Sequence, residues 1–359
     1  MVSDVPVGAF LSGGIDSSLV VALMARLSDR PVKTFSIGFD FQDFDERPYA
    51  RMVAERFGTD HEEMVVEADL AGILPTLVWH FDDPFADPSA IPTWHVSNIA
   101  ARRVTVALSG DGGDESFGGY TRYVNALANA RADRLPGVAR GLLGAIAKAL
   151  PDTARGKNRL RWLSLSGDDR YADFFASTPP HLVARHLSQE MKARLATLGL
   201  DAEAARRRAT LPILADCPYA DPIARMQYFD ARLYLPGDIL MKVDRASMSV
   251  SLESREPLLD HHLMEFGLGL PPRLKIDGRE TKLLLRRLAR QLLPAEAIDR
   301  PKHGFSVPLD RWFRGELHGT TLWGLMMLEL WARRFLDGPL DPPVAPPPRA
   351  TFLAGLRAG

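Results

Sequence analysis

Apolar positions in the first third of the chain follow two alternating rhythms. Short runs at Val5 to Leu11, Val32 to Phe39 and Val104 to Leu108 have the length and β-branched content of buried strands. Between them lie helical stretches, Leu19 to Leu27, Glu46 to Phe57 closed by Gly58, and Leu70 to Trp79, with a further short strand at His61 to Val66. Alternating strands and helices predict a parallel, doubly wound α/β sheet over residues 1–121, covered by helices on both faces. In such sheets ligands bind at the carboxyl ends of the strands. Three predicted strands run into glycine there, at Ser12-Gly13-Gly14, Gly38 and Ser109 to Gly113, so these loops are expected on one edge.

The texture changes after Tyr120. Residues 122–337 read as a mainly helical region with almost no strand signal, and residues 131–216 as a solvent-facing insertion whose Arg206-Arg207-Arg208 run is a solvated face. A helix beginning near Asp238 is expected to carry Lys242, Asp244 and Arg245, with Asp238 four residues before Lys242 and able to pair with it. A second helix beginning near Arg279 is expected to carry Lys282. Glu253, Arg255, Glu256 and Asp260 suggest a charged network bracing a cleft. His261 and His262, adjacent on a helix, should point apart, which is poor for sharing a transition metal. Prolines at 342, 343 and 346 to 348 mark residues 338–359 as an extended or disordered tail.

The totals narrow the classes. With 46% hydrophobic and 25% charged among 359 residues, the chain has room for two soluble domains. A formal net charge of −1 gives no global pull toward nucleic acid or a membrane surface. Cys217 is the sole cysteine, which excludes an internal disulfide and any cysteine-rich metal site. Neither a signal peptide nor an apolar run of the ~18 residues needed for a span is present, so the cytoplasm is the default location.

The stretch Leu11-Ser12-Gly13-Gly14-Ile15-Asp16-Ser17-Ser18 has the pattern strand, glycine turn, helix. Adjacent glycines let the backbone turn tightly and approach a ligand. The first-turn amides of the helix and the hydroxyls of Ser12 and Ser17 suit a phosphate or pyrophosphate. Asp16 would repel such an anion unless a cation lay between them, and Mg²⁺ shared with the phosphates explains it economically. The alternative is an ordinary capped helix start. No Walker-type G-x-x-x-x-G-K-[ST] occurs. In the second loop Asp111, Asp114 and Glu115 stand among Gly110, Gly112 and Gly113. Carboxylates crowded into a turn are costly without cations, and the spacing is not that of an EF-hand. An acidic surface turn is the alternative.

The first loop resembles the pyrophosphate loop of ATP pyrophosphatases. The resemblance becomes specific with Phe35-Ser36-Ile37-Gly38-Phe39, Leu108 to Glu115 and Phe117-Gly118-Gly119-Tyr120. Further on it includes Lys242 to Met248, Glu253 to Asp260 and Lys302-His303-Gly304-Phe305. Together these blocks resemble the synthetase domain of glutamine-dependent asparagine synthetases, from residue 3 to about 337. The resemblance implies a ligase that adenylates the β-carboxylate of aspartate with ATP, releases pyrophosphate, and lets ammonia displace AMP to give asparagine. It implies that Ser12, Gly13, Gly14, Asp16 and Ser17 hold the pyrophosphate, with Asp16 and Asp114 as Mg²⁺ ligands. Leu11 and Ile37 would line the adenosine pocket, and the backbone of Ser109 and Gly110 would touch the nucleotide. Lys282 would face phosphate, Lys302 would stabilise the adenylation transition state, and Asp111 would serve formation of the acyl-adenylate.

Two departures from the family pattern stand out. The best-studied members carry glutamate where this chain has Asp111, and the shorter arm moves the carboxylate by ~1.5 Å. That leaves open another acceptor carboxylate, such as a sugar acid or peptide. In the family a glutaminase domain with an N-terminal cysteine nucleophile precedes this region, whereas here residue 2 is Val2 and Ser12 follows within a few residues. The chain alone is therefore expected not to hydrolyse glutamine. It would be a fragment, a start-site truncation, or a synthetase fed by free ammonia or a separate glutaminase domain or subunit. A silent nucleotide-binding fragment is a further alternative. No nucleic-acid or membrane partner is expected, and a homodimer is left open.

Overall fold

The computed structural model describes residues 2–41, 45–66, 70–128, 134–151, 154–175, 183–185, 187–299, 307–312 and 319–337. The chain begins β1 (Val7–Phe10), α1 (Ile15–Arg26), β2 (Lys33–Phe39), α2 (Arg47–Phe57), β3 (Asp60–Val66), α3 (Leu70–Phe81), α4 (Ala90–Ala100) and β4 (Val106–Leu108). Helices then dominate: α5 (Gly113–Phe117), α6 (Thr121–Ala128), α7 (Gly137–Ala149), α8 (Lys157–Ser164), α9 (Gly167–Asp173), α10 (Gln189–Thr197), α11 (Ala202–Ala215) and α12 (Pro222–Phe229). A π-helix (Asp230–Leu240) leads into α13 (Met241–Met248), followed by β5 (Glu253–Arg255), α14 (His261–Gly269) and α15 (Leu283–Ala289). Contacts divide the chain into two compact units. One holds Met1–Gly113, Gly237–Met264 and Leu284–Gly359; the other holds Asp114–Pro236 and Glu265–Leu283.

The first unit is built on a five-stranded sheet in the order β3-β2-β1-β4-β5, parallel throughout, as the alternation of strands and helices predicts. Parallel strands packed on both faces read as continuous apolar runs rather than alternating ones, and β2 is buried from Thr34 to Phe39. Its side chains join Leu77, Phe81, Ile91, Ile99 and Trp323 in one core. From β1 the chain winds outward through β2 to β3, then crosses to the other side of β1 to make β4. The direction of winding therefore reverses between β1 and β4, and their carboxyl ends face the same edge. The helical expectation beyond Tyr120 needs one correction: Glu253–Arg255 adds an edge strand to β4, anchored by Ser109 N donating to Arg255 O at 2.9 Å.

The second unit packs Tyr123, Tyr171, Leu214, Ile223, Met226, Phe229 and Ile276 into its own core. Inside it Asp230, with no exposed surface, accepts hydrogen bonds from Arg122 (2.9 Å), from the Tyr171 hydroxyl (2.8 Å) and from the Tyr123 hydroxyl. The Arg122 guanidinium lies 3.6 Å from the centre of the Tyr120 ring, a close cation–π contact. Among the described residues no helix is long and apolar enough to cross a membrane.

Burial pushes the Asp230 carboxyl above its ordinary value, and Arg122 with the two tyrosines pulls it back without cancelling the rise. Arg122→Met leaves that carboxylate buried without its cation, and a loss of about 3 kcal/mol is expected at neutral pH. Because the folded state of the variant then binds the proton more tightly than the unfolded state, the loss should shrink as pH falls from 7 toward about 5. Urea unfolding of both proteins across that range measures it.

Candidate active site

In the first unit, α1 starts directly after the first glycine loop, with Gly14 at its N-cap and no side chain capping it. The first-turn amides are thus presented to the loop rather than to a cap. Ser12 and Ser17 are tied to each other, Oγ to Oγ at 3.0 Å, while Ser17 Oγ accepts from Ser12 N and Ser12 Oγ accepts from Gly14 N, both at 3.3 Å. Gly13 has φ +71°, and a β-carbon there would stand 2.6 Å from Tyr49 Cβ and from Ala50 N on α2. Only glycine fits. Leu11 and Ile37, both buried, end or line neighbouring strands beside this loop.

The second loop closes on the first. A β-carbon on Gly110 would lie 2.6 Å from Ser17 N, and one on Gly113 would lie 2.6 Å from Asp16 Oδ1. The Asp16 carboxylate therefore rests against the end of the second loop, at the mouth of the α1 amides. Ser109 donates its hydroxyl to the Asp111 carboxylate and accepts from Asp111 N at 3.1 Å, which orients that acid. Leu11, Ser12, Gly13, Gly14, Asp16, Ser17, Ile37, Ser109, Gly110 and Asp111 thus all lie in one unit, around the ends of β1, β2 and β4.

The same unit contains a charge pair that the sequence reading missed. Lys242 Nζ donates to Asp87 Oδ2 at 2.9 Å, and Asp87 also accepts from Ser89 N (2.9 Å) and Ser89 Oγ (2.6 Å). Burial alone would raise the Asp87 carboxyl, but the Lys242 ammonium and the Ser89 donors hold it below its ordinary value. Lys242 is held above its own, where burial is overcome by Asp87, Asp238 and Asp111. The expected i,i+4 pair is corrected accordingly: Lys242 bonds Asp87, and Asp238 acts on it through its charge. Burial also raises the Glu256 carboxyl, with Asp111 and Asp244 adding to the rise against the Ser254 hydrogen bond. The prolines and acids of Asp82-Asp83-Pro84-Phe85-Ala86-Asp87-Pro88 were the available signal.

In the second unit Lys282 Nζ meets Asp114 Oδ1 at 2.9 Å. Lys282 is buried, with φ +55°, and α15 begins only at Leu283, so the lysine sits in a left-handed turn before the helix and not within one begun near Arg279. A β-carbon on Gly119 would fall 2.0 Å from both Asp114 Oδ1 and Lys282 Cε, so glycine alone leaves room for this pair. Lys302 and His303 lie outside the described residues, as does the proline-rich tail. The His261 and His262 rings do not point apart but lie 3.8 Å between centres, because His261 opens α14 and no preceding turn constrains its side chain. Among the described residues no group of three or more His, Cys, Asp or Glu side chains could hold a metal by itself.

Lys242→Met strands Asp87 in its partly buried place, and a loss of about 3 kcal/mol is expected at neutral pH. Since the folded-state value of Asp87 is lowered, its contribution is present above about 3.8 and is lost as pH falls through the folded value. The gap between wild type and variant in denaturant midpoint should therefore close below about pH 4.

The chain is 36% identical to a putative glutamine-hydrolysing asparagine synthetase of Mycobacterium bovis, over 97% of this chain and 57% of that protein. It is 38% identical to glutamine-hydrolysing asparagine synthetase 1 of Bacillus subtilis, over 89% of this chain and 49% of that protein. The chain thus spans about half the length of the curated relatives it matches. The sequence pattern of asparagine synthase matches residues 1–336, and the chain belongs to the asparagine synthase family.

Proposed function

We propose that the chain catalyses an AMP-forming amidation of aspartate, with ATP as the activating substrate and ammonia as the nitrogen donor. The observation that carries this reading is the meeting of two glycine loops at the reversal of winding, where α1 presents uncapped amides beside the Asp16 carboxylate. A helix start of that kind favours the β- and γ-phosphates over a neutral ligand.

In this reading Ser12, Gly13, Gly14 and Ser17 cradle the pyrophosphate half of ATP, Leu11 and Ile37 border the adenosine, and the Ser109-Gly110 backbone contacts the nucleotide. An oxygen of the aspartate β-carboxylate attacks the α-phosphorus, and the bond to the bridging oxygen breaks with pyrophosphate taking its electrons. Ammonia then attacks the acyl carbon, AMP leaves, and a proton passes to solvent. Lys302 would offset the charge building on the phosphates during the first step, and Lys282 would bind phosphate in support. Asp111, oriented by Ser109, would serve the acyl-adenylate.

Carboxylate oxygens are the donors that suit Mg²⁺, with Asp16 in the first unit and Asp114 in the second as candidate ligands. Without a three-acid cluster among the described residues, phosphate and water would supply most of the shell at either carboxylate, as Mg²⁺ prefers. The ion would neutralise charge on the departing pyrophosphate. Ammonia would arrive free or from a glutaminase domain or subunit.

Pyrophosphate release from ATP and Mg²⁺ with aspartate, with and without ammonium, tests the proposal. Aspartate-dependent release is expected, with asparagine accumulating once ammonium is added, and Lys302→Ala should lower the rate by roughly 10²–10³-fold. A folded, ATP-binding protein that releases no pyrophosphate with aspartate would refute the assignment. Gly13→Ala, which drives a β-carbon into α2, should weaken ATP binding by about tenfold or more, a cost of about 1.4 kcal/mol by calorimetry.

A further inference from the structure

The pair of Asp114 and Lys282 sits on two weak supports. Asp114 lies on α5, a helix of five residues, and Lys282 lies in a turn with φ +55° that favours glycine. Neither support would keep its place by local structure, since a single helical turn is unstable alone. Both are held by one buried polar relay within the second unit.

The relay begins at Gln227 on α12, which is 1% exposed. Its Nε2 donates to Glu115 O at 2.5 Å and to Ser116 O at 3.1 Å. These are carbonyls of α5, near the end where a helix lacks intrahelical donors. Two carbonyls facing one end of the amide also fix which end is nitrogen. The other end, Gln227 Oε1, accepts from Lys275 Nζ at 2.7 Å, and the same ammonium donates to Leu268 O at 2.9 Å. Through its main chain Lys275 reaches the second support, because Lys275 O accepts from Leu283 N at 3.1 Å, one residue beyond Lys282. Lys275 therefore reaches the Asp114 helix through the Gln227 amide and the Lys282 segment through its own backbone. Close packing completes the arrangement: Gly118 has φ +70°, and a β-carbon there would come within 3.2 Å of Lys275 Cβ.

Lys275 is an expensive residue to place here. It is 2% exposed, and its two hydrogen bonds go to neutral oxygens. Burial draws its pKa down to about 8, with distant Asp221 recovering only part of the loss. An apolar side chain of the same length would fill the space at lower cost. Stability alone does not account for an ammonium at this point, whereas setting the spacing of two short, charged elements does.

We propose that Lys275 and Gln227 are positioning residues that set the distance between Asp114 and Lys282, and so the fit of the magnesium-bound phosphates of ATP. The proposal rests on the nucleotide assignment of Asp114 and Lys282 made above, but its structural half can be read separately.

The discriminating variants are Lys275→Met and Gln227→Glu, with Gln227→Met as a size control. Gln227→Glu keeps an acceptor for Lys275 and gives it a charged partner, while replacing the amide donor with a carboxylate facing the α5 carbonyls. A purely structural role predicts a lower melting temperature from the lost donor, with an unaltered KM for Mg·ATP in the folded protein. A positioning role predicts, whatever the melting temperature, faster amide exchange in residues 113–117 and a KM for Mg·ATP higher by roughly tenfold or more with a smaller change in kcat. Lys275→Met should quicken exchange both there and at the Leu283 amide, and raise the same KM. Unchanged exchange at residues 113–117 and 283 in Lys275→Met overturns the relay, as does an unaltered KM in a folded Gln227→Glu protein whose wild type is active. If wild type releases no pyrophosphate at all, the functional assignment has failed, and the exchange measurement still decides the relay. Should Lys275→Met not fold, the Gln227 pair decides it.

Discussion

The close approach of two glycine loops at the reversal of winding between β1 and β4 is the constraint on which the first unit depends. A parallel sheet sends successive connections over its faces, and only where the winding reverses do neighbouring strand ends diverge enough to leave a crevice. Here glycine backbone lies at those strand ends. Gly110 stands where any side chain would strike Ser17 N, Gly113 where it would strike Asp16, and Gly13 where it would strike α2. The three glycines let the two loops and α2 approach at main-chain distance, which sets the α1 amides beside the Asp16 carboxylate. The chemistry proposed for the chain needs that arrangement, because a leaving pyrophosphate is stabilised best by fixed dipoles that need not reorganise.

Charges away from this crevice are arranged differently in the two units. In the first, Lys242 and Asp87 neutralise each other within reach of the fields of Asp111 and Asp238, so the ammonium is kept charged and the Asp87 carboxyl is held below its ordinary value against its burial. In the second, Asp230 is satisfied by one guanidinium and two phenols, a self-contained knot in an aromatic core. The Asp114–Lys282 pair is the exception. It borders short elements rather than a core, and its geometry is set from outside by Gln227 and Lys275.

The elements legible in the sequence were those whose residues announce their own environment. Strands β1, β2 and β4 read as apolar runs because neighbours cover them, the edge strand β3 shows itself only by its apolar end Met64-Val65-Val66, and the glycines mark where the backbone must turn. The fifth strand, Glu253-Ser254-Arg255, has no such signature, since its pairing is imposed by β4 at the sheet edge. Asp238 was a sound choice of partner for Lys242 on a regular helix. The π-helix ending at Leu240 alters the residues per turn, so the i,i+4 register does not carry through. The true partner, Asp87, lies 155 residues away and leaves no periodic trace. The local pattern predicts a helix at Lys282, whereas the hydrogen bond from Leu283 N to Lys275 O, eight residues back, goes with a left-handed residue before the helix. Family resemblance supplied the roles of the loop residues, while the supports behind them came only from the fold.

A crystal structure with Mg²⁺ and α,β-methylene-ATP, which cannot be cleaved between the α- and β-phosphates, locates the triphosphate. The β- and γ-phosphates are expected within hydrogen-bonding distance of the amides between Gly14 and Ser17, with the Ser109-Gly110 backbone against the nucleoside. A nucleotide bound elsewhere in the chain, with that loop empty, would contradict that placement.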